Sequence, residues 1–240
     1  MKIYNGGDIV MNTYVYPISD GYVMIDTGYE GCLETIEKRL RKKGICLSEV
    51  RYIFLTHAHD DHAGFLLELL DKYPDVKVIM SDKAMATLKR GQNSFEGGCS
   101  TLLAFIFCKL MALFGKAEHR FPAIPDRLND RFIEITEENK AEVEKEISGK
   151  IIETPGHTCD SISLRIGNII FCGDAAMNGF PSINRLIIWI ENLKDFEESW
   201  EALIKEGADM IYPAHGKPFK TGDLGKYKGC ISKIKLRALK

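Results

Sequence analysis

Residues 56–64 read Thr-His-Ala-His-Asp-Asp-His-Ala-Gly and hold three of the six histidines of a 240-residue chain. Three imidazoles and two carboxylates crowded into six consecutive positions make poor packing material and good metal ligands. The preceding run, Arg51-Tyr52-Ile53-Phe54-Leu55, is β-branched and aromatic and predicts a buried strand. The following residues, Gly64 to Leu70, suit a helix. The cluster therefore lies on a strand-to-helix loop, where α/β folds keep their chemistry. His57 and His59 share one side of an extended chain, whereas Asp61 and His62 fall on the turn into the helix and point elsewhere. A loop that presents ligands in two directions suits two adjacent metal ions. A closed structural zinc site would use four Cys or His ligands, often in Cys-x-x-Cys pairs, and this chain has no such pair.

Partners for the loop appear at three further strand ends. His157 sits in Pro155-Gly156-His157-Thr158, just past the apolar pair Ile151-Ile152. Asp174 closes Phe171-Cys172-Gly173-Asp174, and His215 follows Met210-Ile211-Tyr212-Pro213-Ala214. Each alone reads as an ordinary turn residue beside glycine. Together they read differently, because residues at strand termini along one sheet edge converge on one place. His119 is left over and reads as ordinary.

These motifs resemble those of the metallo-β-lactamase fold superfamily of binuclear metallohydrolases. The match is to its His-x-His-x-Asp-His motif at 57–62, its Pro-Gly-His-Thr segment at 155–158, its Gly-Asp at 173–174 and its late strand-end histidine at 215. It runs from about Asn12 to Pro218. The resemblance implies His57, His59 and His157 as ligands of a first ion, and Asp61, His62 and His215 as ligands of a second, with Asp174 bridging. It also implies a four-layer αββα sandwich whose halves are pseudo-repeats, although no sequence repeat stands out.

Upstream, Asn12 to Pro17 and Gly21 to Asp26 read as two strands joined at Ser19-Asp20-Gly21. The Asp26-Thr27-Gly28 that closes the second resembles an aspartic-protease signature, but that chemistry needs two facing carboxylates and the chain has one copy. In the metallohydrolase resemblance this aspartate supports the ligand loop; a plain turn is the competing reading of Asp26.

Strands alternate with helices along the chain: helix 32–43, strand 51–55, helix 64–72, strand 77–80, helix 82–90, strands near 131–135, 150–153, 161–166 and 168–172, helix 196–206 and strand 209–212. That is a mixed α/β pattern, expected as a single domain over 1–240. A net charge of −2 gives no electrostatic case for nucleic acid. The first residues lack an apolar signal core, and seven cysteines without paired spacing fit reduced thiols, so a cytoplasmic protein is expected. Cys159 and Cys172, beside ligand positions, read as buried packing. The C-terminal Lys217 to Lys240 carries eight Lys or Arg against one Asp, read as a solvated helical face with an anion-binding surface as the alternative.

The segment 91–130 is an expected insertion. It opens with a flexible stretch, Gly91 to Gly98, and continues through Thr101 to Phe114, fourteen residues with one lysine. That run is too short to span a bilayer, which takes about 20 residues. A helix apolar nearly all round should be buried or cover something. Three readings compete: a lid that lines the pocket with Phe105, Phe107, Met111 and Phe114, a homodimer contact, and membrane-surface docking. The lid would favour a substrate with an apolar portion.

The ligand set implies two divalent ions, zinc first, with iron or manganese as alternatives. Such ions share a water and lower its pKa from about 15.7 towards neutrality, for attack on a carbonyl or phosphorus centre. Asp61 would orient that nucleophile or carry its proton. Members that reduce oxygen or nitric oxide carry Glu where this chain has His59, which favours hydrolysis over a redox di-iron protein. The penicillin-degrading members with a cysteine ligand have it where Asp174 stands. Glyoxalase II-like thioesterases carry a helical domain after the last histidine, and here 25 residues follow His215. Lactonases place a tyrosine three residues after the bridging aspartate, and here that residue is Met177. The expectation is a hydrolase of a small-molecule ester, thioester, lactone or phosphoester. A non-catalytic metal-binding or regulatory protein is the alternative.

Overall fold

Strand β4 (Val50–Phe54) runs between two parallel neighbours, β3 (Gly21–Ile25) and β5 (Lys77–Ser81), in a computed structural model. The structure describes residues 2–115 and 117–239; Met1, Lys116 (inside the 91–130 segment) and Lys240 lie outside the described residues. In chain order the other strands are β1 (Tyr4–Asn5), β2 (Tyr14–Ile18), β6 (Gly98–Cys99), β7 (Phe132–Ile135), β8 (Lys150–Glu153) and β9 (Ile162–Ile166). There follow β10 (Ile169–Gly173), β11 (Trp189–Ile190), β12 (Met210–Pro213) and β13 (Phe219–Lys220). The helices are α1 (Leu33–Arg41), α2 (Leu66–Lys72), α3 (Met85–Arg90), α4 (Leu102–Leu113), α5 (Lys140–Glu146), α6 (Leu193–Lys205) and α7 (Gly222–Tyr227).

The chain divides into two compact units, one of Met1–Asn93 with Arg120–Gly149 and one of Ser94–His119 with Lys150–Lys240. The expected insertion is thus shared between them, its central stretch Ser94–His119 lying in the second unit. The first unit is built on the sheet β1-β2-β3-β4-β5-β7. β2 and β3 form a hairpin in which Ile18 faces Gly21 across a two-residue turn, as the Ser19-Asp20-Gly21 signal predicts. β1 is antiparallel to β2, whereas the neighbours from β3 to β7 are parallel, so those connections leave the sheet through helices. α1 does this with Leu33, Ile36 and Leu40 buried at helical spacing, and α2 with Leu66, Leu69 and Leu70. These side chains join Val50, Ile53, Val78 and Met80 in one core.

The second unit holds the sheet β13-β12-β10-β9-β8 and the two-stranded ribbon β11-β6. β9 and β10 form a hairpin about Gly167-Asn168, with Gly167 in the left-handed region. β10 and β12 are parallel, and α6 makes the crossover between them. Its buried Phe196, Trp200 and Leu203 pack on Ile152, Ile170 and Ile211.

The predicted elements are found with ends shifted by physical causes. α6 starts at Leu193, not 196, because the Asn192 side chain accepts the N–H groups of Lys194 and Asp195. α3 starts at Met85 because Ser81 first closes a turn on Lys83 and Ala84. The unpredicted α5, Lys-Ala-Glu-Val-Glu-Lys-Glu, buries one residue, Val143, and so lacks a periodic signal. Among the described residues no helix is long and apolar enough to cross a membrane.

Candidate metal centre

In the first unit the ligand loop leaves β4 and is clamped at both ends by the segment after β3. The Phe54 carbonyl accepts Asp26 N–H at 3.0 Å, and the His62 carbonyl accepts both Thr27 N–H at 2.8 Å and the Thr27 hydroxyl at 2.7 Å. Asp26 adopts a left-handed φ of 56°, a conformation aspartate tolerates. That turn aims its carboxylate back at the loop. One oxygen accepts Thr56 N–H at 2.7 Å; the other accepts the Thr56 hydroxyl at 2.9 Å and His62 Nδ1 at 2.8 Å. The two readings of Asp26 therefore hold together: it makes a turn, and the turn serves His62. Gly64 ends the loop where no side chain fits, since a Cβ there would lie 2.3 Å from the Asp60 carbonyl and 2.5 Å from that of Gly28. Asn93 adds a further brace, exchanging two hydrogen bonds with Asp60.

These contacts choose tautomers. A carboxylate only accepts, so His62 carries its proton on Nδ1 and its lone pair on Nε2. The Thr56 hydroxyl donates to Asp26 and so accepts from His57 Nδ1 at 3.1 Å, which gives His57 the same tautomer. Nδ1 held by a second residue, with Nε2 as the ligand atom, is the usual arrangement of a metal-binding histidine. The rings of His57 and His59 stand 4.6 Å apart and those of His57 and His62 3.9 Å apart, all three buried. His62 Nε2 lies 3.7 Å from Asp61 Oδ1, and Asp61 Oδ2 receives the Tyr29 hydroxyl at 3.4 Å.

In the second unit, β8 delivers His157 through a loop pressed against the start of α6. Gly156 is required: its φ is 128°, and a Cβ would meet Phe196 N at 2.3 Å. Its carbonyl accepts the N–H groups of Glu191 and Asn192 at 2.8 and 3.0 Å. The Trp189 carbonyl accepts His157 Nδ1 at 2.7 Å, so here too Nε2 is left to bind. Glu191 accepts the Cys159 N–H at 3.0 Å. Burial pushes the Glu191 carboxyl up from its ordinary range, against hydrogen bonds from Ser94 and Cys159 that favour ionisation. Asp174 follows Gly173, and the buried Trp200 indole holds the next residue by donating to the Ala175 carbonyl at 2.7 Å. The backbone after His215 pairs with Asn178.

The two Asp174 oxygens face different histidines. Oδ2 is 3.5 Å from His157 Nε2 and Oδ1 is 3.5 Å from His215 Nε2. Two ligands of one tetrahedral ion sit roughly 3.3 Å apart for metal–nitrogen bonds of about 2.0–2.1 Å. A carboxylate oxygen and an imidazole lone pair at such range repel unless a proton or a cation lies between them. The donor set of each unit therefore fits a divalent metal.

Thr56, Tyr29, Asn93, Trp189 and Glu191 are the residues that sequence reasoning missed. Trp189 acts through a backbone carbonyl, which has no residue-type signature, and the others become neighbours through folding. Of the two cysteines read as buried, Cys172 is buried and Cys159 is exposed. All seven cysteines are free thiols. Met177 is buried, its N–H on the Arg185 carbonyl at 3.0 Å. Of the residues expected to line a lid, Phe105, Phe107 and Met111 are half-buried on α4, and Phe114 is exposed just beyond it.

The model of the metallo-beta-lactamase superfamily matches residues 6–215. A probable metallo-hydrolase of Methanocaldococcus jannaschii is 27% identical over 221 residues, 89% of this chain and 91% of that protein. A beta-lactamase-like protein 2 homolog of Caenorhabditis elegans is 24% identical over 210 residues. That match covers 85% of this chain, which spans 55% of the nematode protein's length. A solved metallo-beta-lactamase of Cronobacter sakazakii matches with a TM-score of 0.64 at 18% identity, covering 96% of this chain and 88% of that one.

Proposed function

Because the chain belongs to the metallo-β-lactamase superfamily and has its fold, we propose that it is a binuclear metal-dependent hydrolase of a small-molecule ester, thioester, lactone or phosphoester. In this reading the donors of both units serve one pair of ions. His57, His59 and His157 would hold the first, Asp61, His62 and His215 the second, and Asp174 would serve both. The observation that carries it is Asp174, whose two oxygens each lie 3.5 Å from the Nε2 of a different histidine. A carboxylate serving one ion would not need a histidine on each oxygen.

Zinc fits the imidazole-rich set best, with iron and manganese accepting the same ligands. Bound ions of this kind acidify water towards neutrality and polarise the target oxygen. The chain's own part is orientation and proton transfer. Asp26, Thr56 and the Trp189 carbonyl fix which nitrogen of His62, His57 and His157 faces inward. Asp61 is the group that takes a proton from the attacking water and passes it to the leaving atom. The Tyr29 hydroxyl steadies Asp61 from the exposed side.

The test is elemental analysis of the purified protein, followed by chromogenic ester, thioester, lactone and phosphodiester substrates. Two equivalents of metal and turnover of one class are expected. Two equivalents and no turnover across the panel would point to a binding role, and one equivalent would remove the binuclear reading. His59→Ala should abolish both metal and activity while leaving the circular dichroism unchanged.

A further inference from the structure

We propose that α4 is a homodimer contact, its outer face pairing with the same helix of a second copy of this chain. Leu103, Ile106, Leu110 and Leu113 follow one another at intervals of three, four and three residues, the spacing of a coiled-coil seam. All four are exposed, at 36%, 54%, 47% and 83%. The opposite face is the one that holds α4 to its own unit. The Thr101 hydroxyl caps the helix on Ala104 N–H at 3.0 Å, Ala104 is buried, and the Cys108 thiol is hydrogen-bonded to Cys99 on β6. The helix thus carries two apolar seams, and its own unit uses one. This also explains why the run reads as apolar all round.

The seam's margins continue the same surface. Phe107 meets Phe180 edge-to-face at 5.9 Å, and Phe180 and Phe114 are 75% and 69% exposed. With the four seam residues they present on the order of 700 Å² of apolar surface, more than the largest patch of a typical monomer and close to the share of about 800 Å² that each partner gives a standard interface. The one charged residue of the helix, Lys109, lies with its ammonium over the Phe105 ring, 5.6 Å from the centroid, beside the seam rather than across it. A narrow line of Leu and Ile at heptad spacing accepts another helix by knobs into holes. A two-fold axis supplies that helix, because an apolar seam is complementary to itself.

Sedimentation velocity of the full chain at micromolar concentration should show a species of twice the 27.1 kDa chain mass. Leu110→Glu should weaken the dimer roughly 100-fold, since association would bury an unpaired carboxylate, and should leave the far-ultraviolet circular dichroism unchanged. Leu110→Ile should keep the dimer. Amides of 103–114 should gain exchange protection as wild-type concentration rises. A wild-type monomer at these concentrations, or a Leu110→Glu dimer of wild-type affinity, overturns the proposal. So does a monomer that cosediments, through Leu110, with phosphatidylcholine–phosphatidylserine vesicles, since the face would then be a membrane contact.

Discussion

Replacing Asp26 with asparagine preserves the shape of the side chain and removes the acceptor that sets two histidine tautomers. The amide oxygen can keep the Thr56 N–H, 2.7 Å away in the native protein. The amide nitrogen would then stand where the second carboxylate oxygen accepts His62 Nδ1 and the Thr56 hydroxyl. A donor facing Nδ1 forces His62 to move its proton to Nε2, the nitrogen that should bind metal. The Thr56 hydroxyl, deprived of its acceptor, turns towards His57 Nδ1 and drives the same exchange there. Two hydrogen bonds to a charged acceptor are lost, each contributing about 1.5–3 kcal/mol, partly offset by the amide's new contacts, so a destabilisation of about 2–4 kcal/mol is expected. Metal affinity should fall by about 10–100-fold, the usual cost of removing the partner of a ligating histidine. Competition against a chromogenic chelator measures the affinity, and long-range nitrogen-15 spectra of the metal-free protein read the tautomer directly. Leu70→Ala is the control: it cuts the same unit's core, costs about 2–5 kcal/mol and touches none of these atoms. If Asp26→Asn binds metal like wild type, or binds no worse than Leu70→Ala, the tautomer argument fails.

Gly156→Ala should destabilise by at least about 2 kcal/mol, because the methyl meets the Phe196 backbone at 2.3 Å in a left-handed conformation; urea unfolding measures it, and metal binding should weaken as His157 is displaced. Trp200→Phe removes the indole bond to the Ala175 carbonyl and should cost about 1–3 kcal/mol for a buried acceptor left unsatisfied, with weaker metal binding because Asp174 is the adjacent residue. Glu206 is pushed up by burial, but bonds from Lys150 at 2.6 Å and Arg165 at 3.1 Å outweigh that and hold its pKa below 4.5. In that window the unfolded chain binds more protons, so stability rises with pH. Glu206→Gln should therefore lose about 1 kcal/mol against wild type above pH 4.5, with the difference vanishing as the pH falls through the folded pKa.

Most of the architecture was legible because it rests on short apolar runs that can only be strands and on amphipathic runs that can only be helices. β4, α1 and α6 are of this kind. What the sequence hid is local and polar. Nothing in the letters around Asn192 outweighed the apolar start at Phe196, so the helix began a turn earlier than its periodicity does. β6 and β11 are two residues each and are held by pairing between distant segments. For α4 the composition was plain, but which of its two seams faces inward depends on Cys99 of β6, which meets it only in the folded unit.

The seven candidate ligands were legible for a different reason. The five histidines are of a rare type, six in the whole chain, and all seven residues fall at or just beyond the ends of apolar runs, so position and chemistry coincide in the sequence. The hydrogen bonds behind the candidate histidines leave no such trace. His62 depends on a carboxylate 36 residues away and His157 on a carbonyl 32 residues away, and neither dependence leaves a motif. This division has a consequence for relatives of similar fold. A chain can keep every histidine of the pattern and still fail as a metal site if Asp26 is lost or the Trp189 carbonyl turns away, because Nδ1 would then be free to take either tautomer. Ligand identity decides which atoms are offered, and the hydrogen bonds behind them decide whether those atoms hold a lone pair or a proton.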